Sequence, residues 1–298
     1  MRVASNTVSD TIVRQIDRLS SQQASLQAQV STGQRITNPE DDPAAMASAL
    51  DVESQLHEVQ QYGQNATQAL TLAQTSYTGL QGLKSISDRA GQLATLGTGT
   101  LGASAMSAYG TETNQLIEQA VQTANTNFSG SYIYGGTAVA TPPFSVKRDA
   151  NGQITGVAYV GDQSQAAIPL SNSTSITPST DGATNSGMAD FINNLVALRD
   201  ALNSGNTSTV SNTQSGLSSS EDMIVSAIGT NGGVQTRIQA AQTLQKSATT
   251  NLQSVLSSKV DADLPSTVVK LSQAQTAYQA ALQSAVNVMQ LSILNYLK

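Results

Sequence analysis

The chain has no cysteine, no tryptophan, three phenylalanines and one histidine in 298 residues. Without cysteine there is no disulfide, no thiolate metal site and no thiol nucleophile. A single histidine, His57, excludes a multi-histidine metal site and a histidine-based catalytic triad. Aromatic residues make up only 4% of the chain, so the bulk that usually fills a large globular core is missing. The 39% hydrophobic content suits a long, thin packing of Ala, Leu, Val and Ile instead. Lys and Arg number 14 and the net charge is −6, which argues against nucleic acid as a partner. Arg2, Arg14, Arg18 and Arg35 gather near the N-terminus, and that spacing reads as a solvated helix face. No apolar run approaches 18 residues, so no membrane span is expected. The opening "MRVASNTVSDTIVRQIDRLS" has no continuous apolar segment and no small-residue cleavage site, so no ordinary signal peptide is expected.

What the chain does contain is helical periodicity. Ile12, Ile16, Leu19, Leu26 and Val30 recur at alternating steps of four and three, with Gln23 as the polar seam position. Val52, Leu56, Val59, Gly63, Ala66, Leu70, Ala73, Tyr77 and Leu80 continue this spacing and predict one long helix from about 43 to 95, roughly 75 Å at 1.5 Å per residue. Met106, Tyr109, Leu116, Ala120 and Ala124 mark a shorter helix after the break "LGTGTLGAS". Helical spacing returns at Met188, Phe191, Leu195, Leu198 and Leu202, then at Val234, Ile238, Ala241, Ala248, Leu252 and Val255. The last seam is Leu264, Val268, Leu271, Tyr278, Leu282, Ala285, Met289 and Tyr296. Residues 203–215, rich in Ser, Thr and Asn, read as a loop or weak helix start.

Between 127 and 187 the helical period vanishes. "FSVKRDANGQITGVAYVGD" alternates around Asn151-Gly152, a strong hairpin signal. This segment reads as a small β-domain inserted into a helical protein. The fold class expected is therefore mainly α: long antiparallel helical rods, coiled-coil-like, with a small inserted β-rich domain. The expected divisions are 1–37 with 264–298 as terminal helices, 38–130 with 188–263 as a long-helix rod, and 131–187 as the insert.

Two acidic, proline-bearing joints separate the terminal helices from the long ones. In "STGQRITNPEDDPAAMA" Gly33 can end a helix in the left-handed conformation, Asn38-Pro39 is a turn dipeptide, and Asp42 stands as N-cap before Pro43. Glu40 and Asp41 add negative charge near the positive helix end. "DADLP", with Asp261, Asp263 and Pro265, is the second joint and reads the same way. The terminal stripes are narrow and carry many Ala, Ser and Gln, so they bury each other poorly and call for partners outside the chain.

Three chemical signals give way to simpler readings. "GTGTLG", Gly97 to Gly102, matches a dinucleotide fingerprint by letter, but a helix precedes it where a strand is required. "HEVQQ" at His57 lacks the second histidine of a zinc protease helix. Adjacent carboxylates at 40–42 do not face a shared substrate as catalytic pairs must. No enzyme activity, cofactor or metal is expected. An inserted hydrolase or metal site is disfavoured because the insert has no His or Cys and few carboxylates, Asp149, Asp162 and Asp181.

"STGQRITNPEDDPAAMASAL", "SGSYIYGGT", "VAYVGD", "DADLP" and the ending "LQSAVNVMQLSILNYLK" together resemble the bacterial flagellin superfamily, most like its hook–filament junction members. "IGTNGGVQTRIQAA" departs from the family's usual segment there by inserting "TNGG". The resemblance implies a structural subunit of the bacterial flagellum whose terminal helices form the innermost layer of a tube. It also implies self-association in a ring or tube, neighbouring hook-associated protein and flagellin as partners, secretion to the flagellum without a cleaved signal peptide, and a cytoplasmic export chaperone on the C-terminal helix. A short flagellin is the alternative. The expected assembly residues are Ile12, Ile16, Leu19, Leu26 and Val30 at one end, with Leu271, Tyr278, Leu282, Met289 and Leu294 at the other. Tyr132 and Tyr134 are expected to wedge the root of the insert against the helices.

Overall fold

The structure, a computed structural model, describes residues 2–99 and 102–296, with side chains described from 10 to 288 within them. Among the described residues six helices carry most of the chain: α1 (Arg2–Thr32), α2 (Pro43–Gly97), α3 (Ala103–Ala124), α4 (Gly182–Ser204), α5 (Thr207–Val260) and α6 (Leu264–Tyr296). Six short strands lie between α3 and α4: β1 (Asn127–Phe128), β2 (Ser131–Tyr132), β3 (Phe144–Arg148), β4 (Ile154–Tyr159), β5 (Ile168–Pro169) and β6 (Ser175–Ile176). They form three separate antiparallel pairs, β1-β2, β3-β4 and β5-β6. The chain divides into two compact units, one made of residues 59–247 and the other of 1–58 with 248–298.

In the central unit, the seam foreseen on α2 is the side that is covered: Ala66, Ala73 and Leu80 are buried, and Leu70 and Tyr77 are half-buried. Leu80 and Leu83 of α2, Met106 and Ile117 of α3, Phe191 and Leu195 of α4, and Leu217 and Ile224 of α5 share one core. Of the two readings of 203–215, the helix start is the one found. Gly205 caps α4 at φ 69°, and α5 starts at Thr207 because Val210, Leu217 and Ile224, seven residues apart, bury against that core. Burial of one face outweighs the weak helix preference of the Ser, Thr and Asn around it. The helix also runs unbroken through Gly229, Gly232 and Gly233, so "TNGG" interrupts nothing.

The strand region shares its core with the helices. Phe144, Ile154 and Val157 belong to the same core as α4, and β4 packs directly on α4. Arg199, almost fully buried on α4, donates from one guanidinium nitrogen to the Ile154 carbonyl at 2.7 Å and to Asn114 of α3 at 3.1 Å. Two side-chain amides close the hairpin backbone. Asn125 brackets Phe144, accepting from its N–H at 3.0 Å and donating to its carbonyl at 3.1 Å. Asn193 does the same to Val157, at 2.9 Å both ways. The turn lies one step earlier than the Asn-Gly signal suggests. It spans Asp149–Gly152, with Gly152 at φ 81° and the Asp149 carboxylate accepting from Asn151 and Gln153. A second small core joins Leu170 and Ile176 to Ala66, Ala69, Ala73 and Ile238, the alanines letting this segment lie close on α2.

Candidate assembly surface

The terminal unit is built around two joints. Gly33 ends α1 at φ 74°, its N–H donating to the Gln29 carbonyl at 2.9 Å. Pro39 fills the second position of a turn closed by Asp41 N–H to Asn38 carbonyl at 3.0 Å. Asp42 caps α2, accepting from the Ala45 N–H at 3.0 Å, and Pro43 is the first helical residue. Asp41 does something more local than add charge near a helix end. Its carboxylate accepts from the Asn38 N–H at 2.9 Å and the Thr37 N–H at 3.1 Å, and those bonds hold its pKa below the usual carboxylate value.

The second joint splits its two acids between two roles. Asp263 precedes α6, its carbonyl accepting from the Thr267 N–H at 2.9 Å and its carboxylate from the Ser266 N–H at a long 3.5 Å; Pro265 is the second residue of the helix. Asp261 is not an N-cap. It continues the end of α5, its N–H donating to the Ser257 carbonyl at 2.9 Å and its carboxylate accepting from the Ser257 hydroxyl at 2.5 Å. Arg35 is likewise not on a solvated helix face: it lies in the first joint and reaches the end of α5, its guanidinium donating to the Lys259 carbonyl at 2.8 Å.

α1 and α6 pack on each other. On α1 the covered side runs through Ile12, Ile16, Leu19, Gln23, Leu26 and Val30, the seam read from sequence, with Gln29 half-buried beside it. On α6 the covered side runs through Thr267, Leu271, Ala274, Tyr278, Ala281, Ala285 and Val288, again at steps of four and three, with Ser266 half-buried beside it. Leu271, Tyr278 and Ala285 belong to the expected seam. Leu264, Val268 and Leu282 do not lie on it, because the helix turns small residues inward at 267, 274 and 281, where they let two backbones approach closely. The larger side chains are left outside: Leu264 is 43% exposed, Val268 49%, Val269 56%, Leu282 40% and Val286 49%. Lys270 is the one charged residue between 264 and 288, and Ser272, Gln275 and Gln279 are exposed between the two apolar groups, so this outer face is uncharged, with apolar side chains at each end and neutral polar ones between. Val13 stands outward on α1 in the same way. The side chains of Met289 and Leu294 lie outside the described residues.

A small core and an uncharged outer row make a surface suited to packing against other helices. The remaining signals resolve structurally. A long helix precedes Gly97 and α3 follows at Ala103, which is a connection between helices. His57 is exposed on α2, and no cluster of three or more metal-binding side chains occurs among the described residues. Tyr134 is fully buried and donates to the Ser76 carbonyl of α2 at 2.9 Å, burial pushing its phenol pKa up, while Tyr132 is half-buried in β2. No helix among the described residues is long and apolar enough to cross a membrane.

Comparison with known proteins agrees with this architecture. Residues 3–138 match the family model of the bacterial flagellin N-terminal helical region. A protein of Vibrio parahaemolyticus assigned as flagellar hook-associated superposes with a TM-score of 0.66 at 15% identity, over 74% of this chain and 100% of that one. FlgL of Bacillus cereus gives 0.59 at 18% identity, over 70% of this chain and 99% of its own. FlgL of Xanthomonas campestris gives 0.55 at 14% identity, over 69% and 99%. No curated protein sequence matches the chain. The fold is the long-helix fold of these hook-associated structures.

Proposed function

We propose that the protein is a structural, non-enzymatic subunit of the bacterial flagellum that joins hook to filament by helix packing of its two ends. The observation that carries this reading is the outer row of α6, where Leu264, Val268, Leu282 and Val286 stand in solvent on a helix already packed along its alanine side. Burying such a row against a neighbouring subunit releases on the order of 25 cal/mol for each Å² of apolar surface covered. The flagellin N-terminal match and the hook-associated neighbours support the same role. In this reading the subunits associate in a ring or tube, with another hook-associated protein and flagellin as neighbours. The protein reaches the flagellum by export without a cleaved signal peptide, and a cytoplasmic chaperone covers α6 before export, since exposed Leu264, Val268, Leu282 and Val286 on a helix with little charge invite premature association. Labelling intact flagella with an antibody against this protein tests the assignment under electron microscopy. A band confined to the outer end of the hook is expected; labelling along the whole filament would mean a short flagellin instead.

A further inference from the structure

The chain contains two asparagine–glycine pairs, Asn151-Gly152 and Asn231-Gly232, and the fold treats them oppositely. Asn231 lies inside α5 and is 5% exposed, its Oδ1 accepting from the Gln235 amide at 2.7 Å. The N–H that follows it is taken up by the helix ladder. Asn151 stands exposed at the tip of the β3-β4 hairpin, and its side-chain amide has no hydrogen-bond partner among the described residues. Gly152 sits at φ 81° with open space where a Cβ would be, so nothing shields its nitrogen from the side chain before it. The turn is held by Asp149 alone. Its carbonyl accepts from the Gly152 N–H at 3.0 Å, and its carboxylate from the N–H groups of Asn151 at 2.9 Å and Gln153 at 2.8 Å. Asp149 to Gln153 are all exposed, and opening a loop tip of this kind costs little free energy.

We propose that Asn151 is a site of spontaneous covalent modification, at which the hairpin tip loses ammonia and gains a carboxylate. The Gly152 nitrogen, once its proton passes to hydroxide, attacks Cγ of Asn151. The new C–N bond closes a five-membered imide while the Cγ–Nδ2 bond breaks and the amide leaves as ammonia, taking a proton from water. Water then opens the imide at either carbonyl. Breaking the new bond at Cγ gives aspartate; breaking the original peptide bond gives isoaspartate, in which the backbone runs through the side chain. Both products place a negative charge near Asp149. The isoaspartyl product also inserts one methylene between positions 151 and 152. That displaces the Gly152 carbonyl, which accepts from the Arg148 guanidinium at 2.8 Å while the same group holds the Glu118 carboxylate of α3. The modification therefore loosens the turn that Arg148 ties to α3.

The test ages the folded full-length protein at mildly alkaline pH and follows its peptides by mass spectrometry. Position 151 is expected to gain the mass of water less that of ammonia about tenfold faster than position 231, or more, because Asn231 reacts only from an opened helix. An isoaspartyl methyltransferase supplied with labelled S-adenosylmethionine should mark the aged protein at 151. In the isoaspartyl fraction the Gln153 amide should lose its protection from hydrogen exchange, while the amides of α3 and α4 keep theirs and show that the chain is still folded. An Asn151 as slow to react as Asn231, or a modified protein whose Gln153 amide stays protected, would overturn the proposal. These readouts use the single chain, so they stand or fall independently of where in the flagellum the protein sits.

Discussion

The phenol of Tyr134 fills the space that a side chain at position 79 would need. A Cβ placed on Gly79 would overlap the Tyr134 hydroxyl, which donates to the carbonyl of Ser76 one turn earlier on α2. The strand region is thus anchored to α2 by a tyrosine whose partner is backbone and whose neighbour must be glycine.

Gly79→Ala should therefore destabilise the central unit by about 1–3 kcal/mol, the usual penalty for overpacking, even though alanine is the better helix former. Tyr134→Phe removes one hydrogen bond and should cost only about 0.5–1.5 kcal/mol. Urea unfolding of both variants gives the comparison, and a Gly79→Ala protein as stable as the parent would contradict this packing.

A good part of this architecture is legible in the sequence. The α2 seam from Val52 to Leu80 and the α1 seam from Ile12 to Val30 follow from spacing alone, because most of their covered positions are apolar, Gln23 and Ser76 being exceptions. On α6 the rule fails, since the inward positions 274, 281 and 285 are alanine while Val268 and Leu282 face out. A reading that follows the larger side chains is then right at Leu271 and Tyr278 and wrong at Leu264, Val268 and Leu282. The helical start of α5 is hidden because Thr207–Gly216 has poor helix preference and is held by Val210 and Leu217. The bridge from Arg35 to Lys259 leaves no local pattern at all, being a contact between the two ends of the chain.

Asn193 should prove more important than a half-buried polar position on α4 suggests. Asn193→Ala leaves the N–H and carbonyl of Val157 without partners. A loss of about 1–3 kcal/mol is expected, the penalty for buried backbone groups left unsatisfied. Hydrogen exchange should localise it to β4, with the Val157 amide losing protection before amides of α4.

Acid should weaken the first joint and the start of α4. Backbone N–H groups of Asn38 and Thr37 lower the Asp41 pKa, and the Thr184 hydroxyl and N–H lower that of Asp181, the cap of α4. Both groups have folded pKa values below their unfolded ones. Their stabilisation is therefore present above the ordinary aspartate value of about 3.9 and is lost as pH falls through the folded values. Carboxyl carbon shifts followed by NMR should give midpoints below about 3.9 for both residues. A midpoint at or above that value would contradict the assigned bonds.

Leu282→Asp places a charge in the outer row and leaves the inward alanines untouched. The protein is expected to fold and be secreted, yet to support no filament beyond the hook. Ala274→Leu, on the covered side, should instead push α1 and α6 apart and speed amide exchange along both helices, since Ala274 is 6% exposed. Filaments of normal length from Leu282→Asp cells would contradict the role given to this face.

The most direct measurement is crosslinking from the outer row in assembled flagella. Leu282→Cys carries the chain's only thiol, so a photoactivatable probe attached there before assembly reports the neighbourhood of that one position. The account requires the probe to join a second polypeptide, another copy or an adjoining flagellar subunit. Attachment only to its own chain, with the variant assembled normally, would contradict it.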